Sequence, residues 1–320
     1  MVEPVRSELP HALNLLEQGR VAEAYAIVRR LAGAGDPEAM FALADMFWRG
    51  AGVEQNVALG REIFRRAAAA GHPMATRAYT NLLANGTAGE RDWPGALRRL
   101  AEEARNDGRR TQMLGLIQKM ALTPHGDPAA VPPGQRLSEL PLVSLFPGAF
   151  TAAECDYLMM VAEPHYEQSV VVEGNAGEVR RPVRTSDGST FHWLIEDPAI
   201  HAINRRLAAI SCTDVNQGEA LQILRYRPGQ EYRPHCDWLE EPNPRVLTAL
   251  IYLNDEYEGG ETAFVKTGLK VRGRKGDAIV FRSMAPGGGL DPMSEHAGLP
   301  VTSGTKYLAS RWIRLHRHVL

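Results

Sequence analysis

The chain has 320 residues, enough for two domains that each bury a core of their own. Its 36 Lys and Arg residues nearly balance 38 Asp and Glu residues, and this gives no broad basic field for binding nucleic acid. The sequence does not open like a signal peptide, and no stretch reaches about eighteen apolar residues. We therefore expect a soluble, cytoplasmic protein without nucleic-acid or membrane partners.

The cysteine content indicates a reduced protein. The three cysteines, Cys155, Cys212 and Cys236, are too few and too scattered for a disulfide framework or a cysteine-based zinc site. Buried, reduced thiols are expected.

Residues 1–120 are rich in Ala, Leu, Arg and Glu at helical spacing and repeat with a period of 36 residues. The segment 35–39 (GDPEA) recurs as 71–75 (GHPMA). Three apolar residues keep the same spacing: Val28, Phe64 and Leu100. Helix pairs of this length cannot bury their apolar faces alone, so the period predicts a stacked α/α repeat solenoid.

The repeat also resembles a known family. Residues 44–53 read ADMFWRGAGV, which is similar to the conserved segment of Sel-one-like repeats, relatives of tetratricopeptide arrays. The resemblance implies a protein partner or a dimer contact through the helices. The alternative is that the helices only support the second domain.

Residues 121–139 contain proline-rich runs that cannot continue a helix, and we interpret them as a linker. In the domain at 140–320, a capping box at Thr151 and a cap at Asp197 each predict the start of a helix. The predicted strands are 142–146, 221–227, 246–253, 261–265, 278–282 and 306–315. Helices followed by many strands predict an α+β chain whose second domain is a double-stranded β-helix, or jelly roll, with supporting helices.

A metal site is predicted from a His-x-Asp pair. His235 and Asp237 lie at the end of a predicted strand, where positions two apart face the same side, so they converge while Cys236 turns away. His296 is the next histidine along the chain, after a glycine-rich return at 287–289. Two imidazoles and one carboxylate form a facial triad with three open positions, which suits non-haem iron(II) oxygenases, whereas zinc prefers a closed tetrahedral set.

A co-substrate site is predicted from Lys306, ten residues beyond His296. 2-Oxoglutarate chelates iron through its 2-oxo group and one carboxylate, and its distal carboxylate needs a charged partner when buried. Lys306 can supply that charge. The alternative is a lysine exposed to solvent. That alternative conflicts with the strand pattern, because Lys306 shares its strand face with the apolar residues Leu308 and Trp312, which are expected to point inward.

Several segments together resemble prolyl 4-hydroxylases over most of 140–320. They are 224–237, 259–262 (GGET), 296–301 (HAGLPV), Lys306 and Trp312. The resemblance implies hydroxylation of a prolyl residue in a peptide or protein through an iron(IV)-oxo intermediate, with O2 consumed and succinate and CO2 released. Ascorbate is the reductant expected from it.

The resemblance also implies residue roles. The tyrosine matching Tyr226 hydrogen-bonds the distal carboxylate of 2-oxoglutarate in that family, and the residues matching Tyr252 and Thr262 help to line its pocket. Core packing is the alternative for these tyrosines, as it is for Trp312.

Substrate contacts are predicted at Arg184, Trp238 and Trp312. Arg184 opens the segment 184–188 (RTSDG), which resembles a motif near the family's substrate groove. Two segments are candidates for a loop over the substrate: 168–181 and 238–245.

Two other functions remain open at this point. The chain could hydroxylate a free amino acid or a small peptide, or it could be a catalytically silent interaction scaffold built on the repeats. An alkylated nucleobase is the least favoured substrate, because the chain carries a slight negative charge.

Overall fold

The computed structural model of the protein describes residues 8–169, 171–172, 178–179 and 183–318. The chain forms two compact units. The first contains the residues up to Leu114 together with Trp193–Pro198, and the second contains Gly115–His192 and the chain from Ala199 onward. Each unit is therefore assembled from separate stretches of the sequence.

The first unit is helical. Its helices are α1 Glu8–Glu17, α2 Val21–Gly33, α3 Pro37–Arg49, α4 Val57–Ala69, α5 Pro73–Asn85, α6 Trp93–Glu103 and α7 Gly108–Ile117. Each helix from α1 to α5 packs against the next one along the chain. Their facing apolar sides form one core in which Phe64 and Leu82 are fully buried. This is the α/α architecture that the 36-residue period predicts.

The repeat is visible in how α3 and α5 begin and end. Asp36 and His72 cap these helices by accepting hydrogen bonds from the N–H groups three residues ahead, at 3.0 and 3.1 Å. Proline follows each cap, and each helix ends at a glycine in the left-handed region, Gly50 or Gly86. Equivalent chemistry therefore starts and stops both helices.

Two amides on α5 hold the Trp193–Pro198 segment within the first unit. Asn81 donates a hydrogen bond to the Leu194 carbonyl and Asn85 donates one to the Trp193 carbonyl, each at 2.8 Å. The Trp193 and Leu194 side chains pack against the helical core. The segment is thus held by its backbone through the amides and by its side chains through apolar contact.

The second unit contains antiparallel strands and the helices α8 Ala152–Ala162 and α9 Pro198–Ser211. The strands are β1 Gln135–Glu139, β2 Leu142–Phe146, β3 Glu167–Gln168, β4 Val171–Val172, β5 Glu178–Val179, β6 Asp187–Phe191, β7 Leu221–Tyr226, β8 Tyr232–His235, β9 Arg245–Tyr252, β10 Tyr257–Gly259, β11 Thr262–Phe264, β12 Lys270–Val271, β13 Ala278–Arg282, β14 His296–Gly298, β15 Val301–Gly304 and β16 Lys306–Arg314. Helix α8 begins at the predicted capping box of Thr151.

Two sheets make the body of this unit. The larger sheet has the order β1-β2-β13-β9-β16-β7-β6-β3, and the smaller sheet has the order β12-β11-β14-β8. Side chains from both sheets, among them Leu250, Phe264 and Leu308, form a shared core between them. The two facing antiparallel sheets are the predicted jelly roll.

Helices cover the other face of the larger sheet. Arg311 on β16 points away from the inter-sheet core and donates a hydrogen bond to the Asn204 carbonyl of α9 at 3.1 Å. Side chains of even and odd positions on β16 therefore serve different layers. None of the described helices combines the length and the apolar content that crossing a membrane requires.

The structure differs from the sequence expectations at Cys212, which is exposed and not buried, and at residues 135–139. Residues 135–139, predicted as the end of the linker, form β1 and pair with β2. Their side chains are mostly exposed, so pairing at the sheet edge, and not an apolar pattern, makes this segment a strand. The candidate loop 168–181 lies largely outside the described residues; its described parts include β4 and β5, which pair with each other.

Candidate metal and co-substrate site

The three predicted metal ligands lie together between the two sheets. His235 ends β8 and His296 begins β14, and the two residues are direct partners in the antiparallel register. Asp237 follows β8 by two residues, and its Oδ1 and Oδ2 lie 3.6 Å from His235 Nε2 and 3.5 Å from His296 Nε2. The candidate ligand atoms all lie within 4.8 Å of one another. Within the described part of the chain, this is the group of such residues that could hold an ion.

Backbone carbonyls orient both imidazoles. His235 Nδ1 lies 2.8 Å from the Arg233 carbonyl, and His296 Nδ1 lies 2.9 Å from the Ser294 carbonyl. Nδ1 carries the proton in this arrangement, so each Nε2 lone pair is available to a metal. The ring of His235 also stacks on Tyr232 with centroids 3.5 Å apart, which fixes its plane.

The protonation states of the cluster also suit a metal. Burial lowers the pKa of His296 to about 4, with repulsion from His235 adding to the effect, so His296 is neutral at pH 7. Burial alone would raise the pKa of Asp237, but the facing imidazoles and a hydrogen bond from Thr248 hold it well below its usual range. Asp237 is therefore an anion next to the neutral imidazole of His296.

This donor set fits iron(II). Two imidazole nitrogens and one carboxylate on one side of an ion leave three positions for other ligands. Among the described residues, the buried Asp237 carboxylate has its close charged-group contacts with the His235 and His296 imidazoles, at 3.6 and 3.5 Å. A dication would complete the charge balance of the cluster.

Lys306 provides a second indication of a missing ligand. Its side chain is 2% exposed, and its Nζ donates a hydrogen bond to the Gly260 carbonyl at 2.7 Å. No carboxylate of the described residues forms an ion pair with it. Burial lowers the pKa of Lys306 to about 8, with Glu261 acting weakly in the opposite direction. An ammonium buried in this way needs an anion, and a carboxylate of a bound ligand would supply it.

The triad and Lys306 line one and the same cavity. Its lining comes from both sheets: Arg184, Leu224, Tyr226, Tyr232, His235, Asp237, Thr248, Leu250, Thr262, His296, Gly298, Lys306, Leu308, Ser310 and Trp312. On β16 the lining residues alternate along the strand from Lys306 to Trp312, as the period of two requires. Tyr226 is the register partner of Lys306, whose Nζ lies 5.5 Å from the Tyr226 ring centre.

The predicted residues Thr262 and Tyr252 occupy different layers. Thr262 lines the cavity, whereas Tyr252 stands behind it, with its hydroxyl 3.1 Å from the Thr262 hydroxyl. The Tyr252 hydroxyl also donates to the Val271 carbonyl at 3.2 Å, and burial raises its pKa above the ordinary value. Tyr252 therefore stays protonated and supports Thr262.

The predicted substrate residues are only partly brought together. Arg184 and Trp312 both line the cavity, and the Arg184 guanidinium lies 5.9 Å from the Trp312 ring centre. Arg184 also donates to Gln222 Oε1 at 3.1 Å. Trp238 is half-buried in the loop after Asp237 and is not part of the lining.

Sequence reasoning missed three lining residues with polar side chains: Tyr232, Thr248 and Ser310. Thr248 and Ser310 carried a usable signal, because each is a polar residue that stands between two apolar residues of the same strand parity. Tyr232 precedes His235 by three residues and gave no such signal.

Comparison with known proteins agrees with this geometry. The model of the 2OG-Fe(II) oxygenase superfamily matches residues 221–314, which include the triad and Lys306. The site and fold therefore define an oxygenase of the iron(II)- and 2-oxoglutarate-dependent class.

Individual relatives narrow this class. Prolyl 4-hydroxylase 5 of Arabidopsis thaliana is 33% identical over 242 residues, which cover 66% of this chain and 82% of the relative. Prolyl 4-hydroxylase 1 of the same plant is 40% identical over 182 residues, covering 50% of this chain and 64% of the relative. The chain belongs to the prolyl 4-hydroxylase family.

A solved structure is also similar in sequence. The viral collagen prolyl hydroxylase of Paramecium bursaria Chlorella virus-1, solved as a 2-oxoglutarate complex, is 29% identical. The match covers 54% of this chain and 95% of that chain, with a TM-score of 0.42.

Proposed function

We propose that this protein uses O2 and 2-oxoglutarate to hydroxylate prolyl residues in a peptide or protein. Membership of the prolyl 4-hydroxylase family supports the choice of substrate. The observation that carries the proposal is the buried Lys306 ammonium, which opens into the same cavity as the His235, Asp237 and His296 cluster without a carboxylate partner among the described residues.

Each side chain has a defined part in this proposal. His235, Asp237 and His296 would hold iron(II), which when bound supplies the means to activate O2 and to decarboxylate the co-substrate. Lys306 pairs with the distal carboxylate of 2-oxoglutarate, and that charge pair fixes which end of the molecule faces the ligand cluster. The apolar walls from Leu224, Leu250 and Leu308 exclude water around it.

Arg184 and Trp312 would bind the substrate peptide. Both line the cavity, and a guanidinium 5.9 Å from the centre of an indole ring offers a partly polar surface for an extended chain. Ascorbate is the reductant that we propose, and we propose that the helices of the first unit bind a protein partner.

The first test compares substrates. The full chain with iron(II), ascorbate, 2-oxoglutarate and air is incubated with a proline-rich peptide or with free L-proline, and succinate and substrate mass are measured. The proposal expects succinate together with the mass gain of one oxygen atom on the peptide. A gain on free proline alone would favour the small-molecule hydroxylase.

The second test uses matched variants. His235→Ala should abolish succinate formation, whereas His125→Ala, at an exposed histidine, should retain it. Equal succinate formation by the parent and His235→Ala would contradict the proposal and favour a silent scaffold.

A further inference from the structure

Thr248 is a polar residue on the inward face of β9. Its side chain is 1% exposed, and its Oγ1 donates a hydrogen bond to Asp237 Oδ2 at 2.6 Å. The next inward positions on this strand, Leu250 and Tyr252, pack in the core between the sheets. A hydroxyl buried there needs a partner, and a carboxylate is the strongest acceptor available.

This hydrogen bond joins a residue outside the strands to a residue within the larger sheet. Asp237 lies beyond the end of β8, so no strand register determines where its carboxylate points. Strand β9 is paired along its length with β13 on one side and with β16 on the other. The hydrogen bond from Thr248 therefore restrains the Asp237 carboxylate relative to the larger sheet.

Without that bond, the carboxylate could present either oxygen or both to an ion. Oδ1 lies 3.6 Å from His235 Nε2 and Oδ2 lies 3.5 Å from His296 Nε2, so both oxygens face the cluster at similar distances. The Thr248 hydroxyl distinguishes them, because it occupies a lone pair of Oδ2 only.

We propose that Thr248 is a positioning residue that commits Oδ2 to the protein and leaves Oδ1 of Asp237 as the single metal-binding oxygen. The inference rests on the proposed function, in which the cluster holds iron(II). A carboxylate that bound through both oxygens would occupy a fourth position and leave two. Two positions are too few for the two donor atoms of 2-oxoglutarate and for O2. Thr248 thus keeps the third position open.

The test counts exchangeable positions on a bound ion, using Mn(II) alone as the paramagnetic probe and the full chain without co-substrate. The water-proton relaxivity per bound ion reports how many water molecules the ion carries. Thr248→Val removes the hydroxyl at constant shape, and we expect it to lower this relaxivity by about one third, because one of three waters is replaced by Oδ2. Thr248→Ser retains a hydroxyl and should restore the parental value.

The matched control is Thr80→Val, the same substitution at a fully buried threonine of the helical unit. It should leave the relaxivity unchanged. If circular dichroism shows that Thr248→Val does not fold, Thr248→Ala carries the same expectation. Parental relaxivity per bound ion in the folded variant would overturn the inference.

The proposed function fails in a different way. If Mn(II) binds the parent and His235→Ala equally well, the cluster is not the metal site, and both proposals fall. If His235→Ala loses Mn(II) while Thr248→Val keeps the parental relaxivity, only the role of Thr248 is lost.

Discussion

The two sheets contribute to the cavity in different ways. The larger sheet supplies Lys306, Tyr226 and Thr248 from strands whose registers run without interruption at these positions. The smaller sheet supplies His235 and His296 from the ends of strands of three or four residues, and Asp237 from beyond a strand end. The position of Lys306 is therefore set by the pairing of the larger sheet. The arrangement of the metal-ligand cluster depends in addition on the ion that it binds.

The largest effect should come from the smaller sheet. Asp237→Ala removes the anionic ligand and leaves a dication poorly neutralised, so we expect hydroxylation and iron(II) affinity to fall by more than about 100-fold, beyond the usual cost of losing an outer partner. Calorimetric metal titration and succinate formation measure this. The control Asp156→Ala removes an exposed carboxylate of α8 and should behave as the parent. Full turnover by Asp237→Ala would remove it from the ligand set.

The anchor of the larger sheet should give a separable effect. Lys306→Met removes the charge while keeping an unbranched chain, and we expect the KM for 2-oxoglutarate to rise at least about 30-fold, as for other buried charge pairs that lose one partner. Metal affinity should be spared. Lys270→Met, at an exposed lysine of β12, is the control. An unchanged KM would show that Lys306 does not bind the co-substrate.

A pH titration sharpens the same comparison. The pKa of Lys306 is about 8 without ligand, so below that pH the ammonium is already present and affinity for 2-oxoglutarate should not depend on it. Above pH 8, a neutral Lys306 must first take up a proton, and the dissociation constant should rise towards tenfold per pH unit. Binding isotherms between pH 6.5 and 9.5 test this, and the dependence should be absent from Lys306→Met. A flat profile in the parent would contradict it.

The free energy of unfolding of the ligand-free protein should change with pH in the opposite direction to the affinity for 2-oxoglutarate. The folded pKa of Lys306 lies below its ordinary value of 10.5, so the unfolded chain binds more protons between pH 8 and 10.5. The contribution of this group to the free energy of unfolding therefore increases with pH over that window. Urea unfolding of the parent and of Lys306→Met, compared at pH 8 and at pH 10, measures the difference. An equal change in both proteins would exclude Lys306 as its source.

The smallest effect is expected behind the cavity wall. Tyr252→Phe removes the hydroxyl that meets Thr262 and the Val271 carbonyl, and it should lower the free energy of unfolding by about 1 kcal/mol. The KM for 2-oxoglutarate should change much less than in Lys306→Met. A comparable KM change would place Tyr252 in contact with the co-substrate.

Helix ends and strand faces in this molecule could be predicted from the sequence, because they depend on residues that are close together in the chain. The capping box at Thr151 fixes the start of α8, and the repeated cap and glycine positions fix α3 and α5. Strand alternation also places Lys306 and Trp312 on one face, and the structure brings both to the cavity.

Long-range contacts were harder to predict. Strand β1 exists because β2 offers it a partner, and its own residues carry little strand pattern. Alternation suggested that Asp237 extends β8, but the strand ends at His235, and Thr248 from a distant strand orients the carboxylate. Trp238 follows Asp237 directly, yet the loop carries it away from the cavity lining.

The alternation of β16 has a consequence for how this protein can vary. Lys306 and Trp312 face the cavity, while Arg311 faces α9. One residue inserted or deleted between Lys306 and Trp312 would turn one of these two side chains towards the helices. A substitution in β16 changes one side chain, whereas an insertion or deletion changes the direction of every side chain beyond it. We therefore expect insertions and deletions among relatives of this enzyme to lie outside β16.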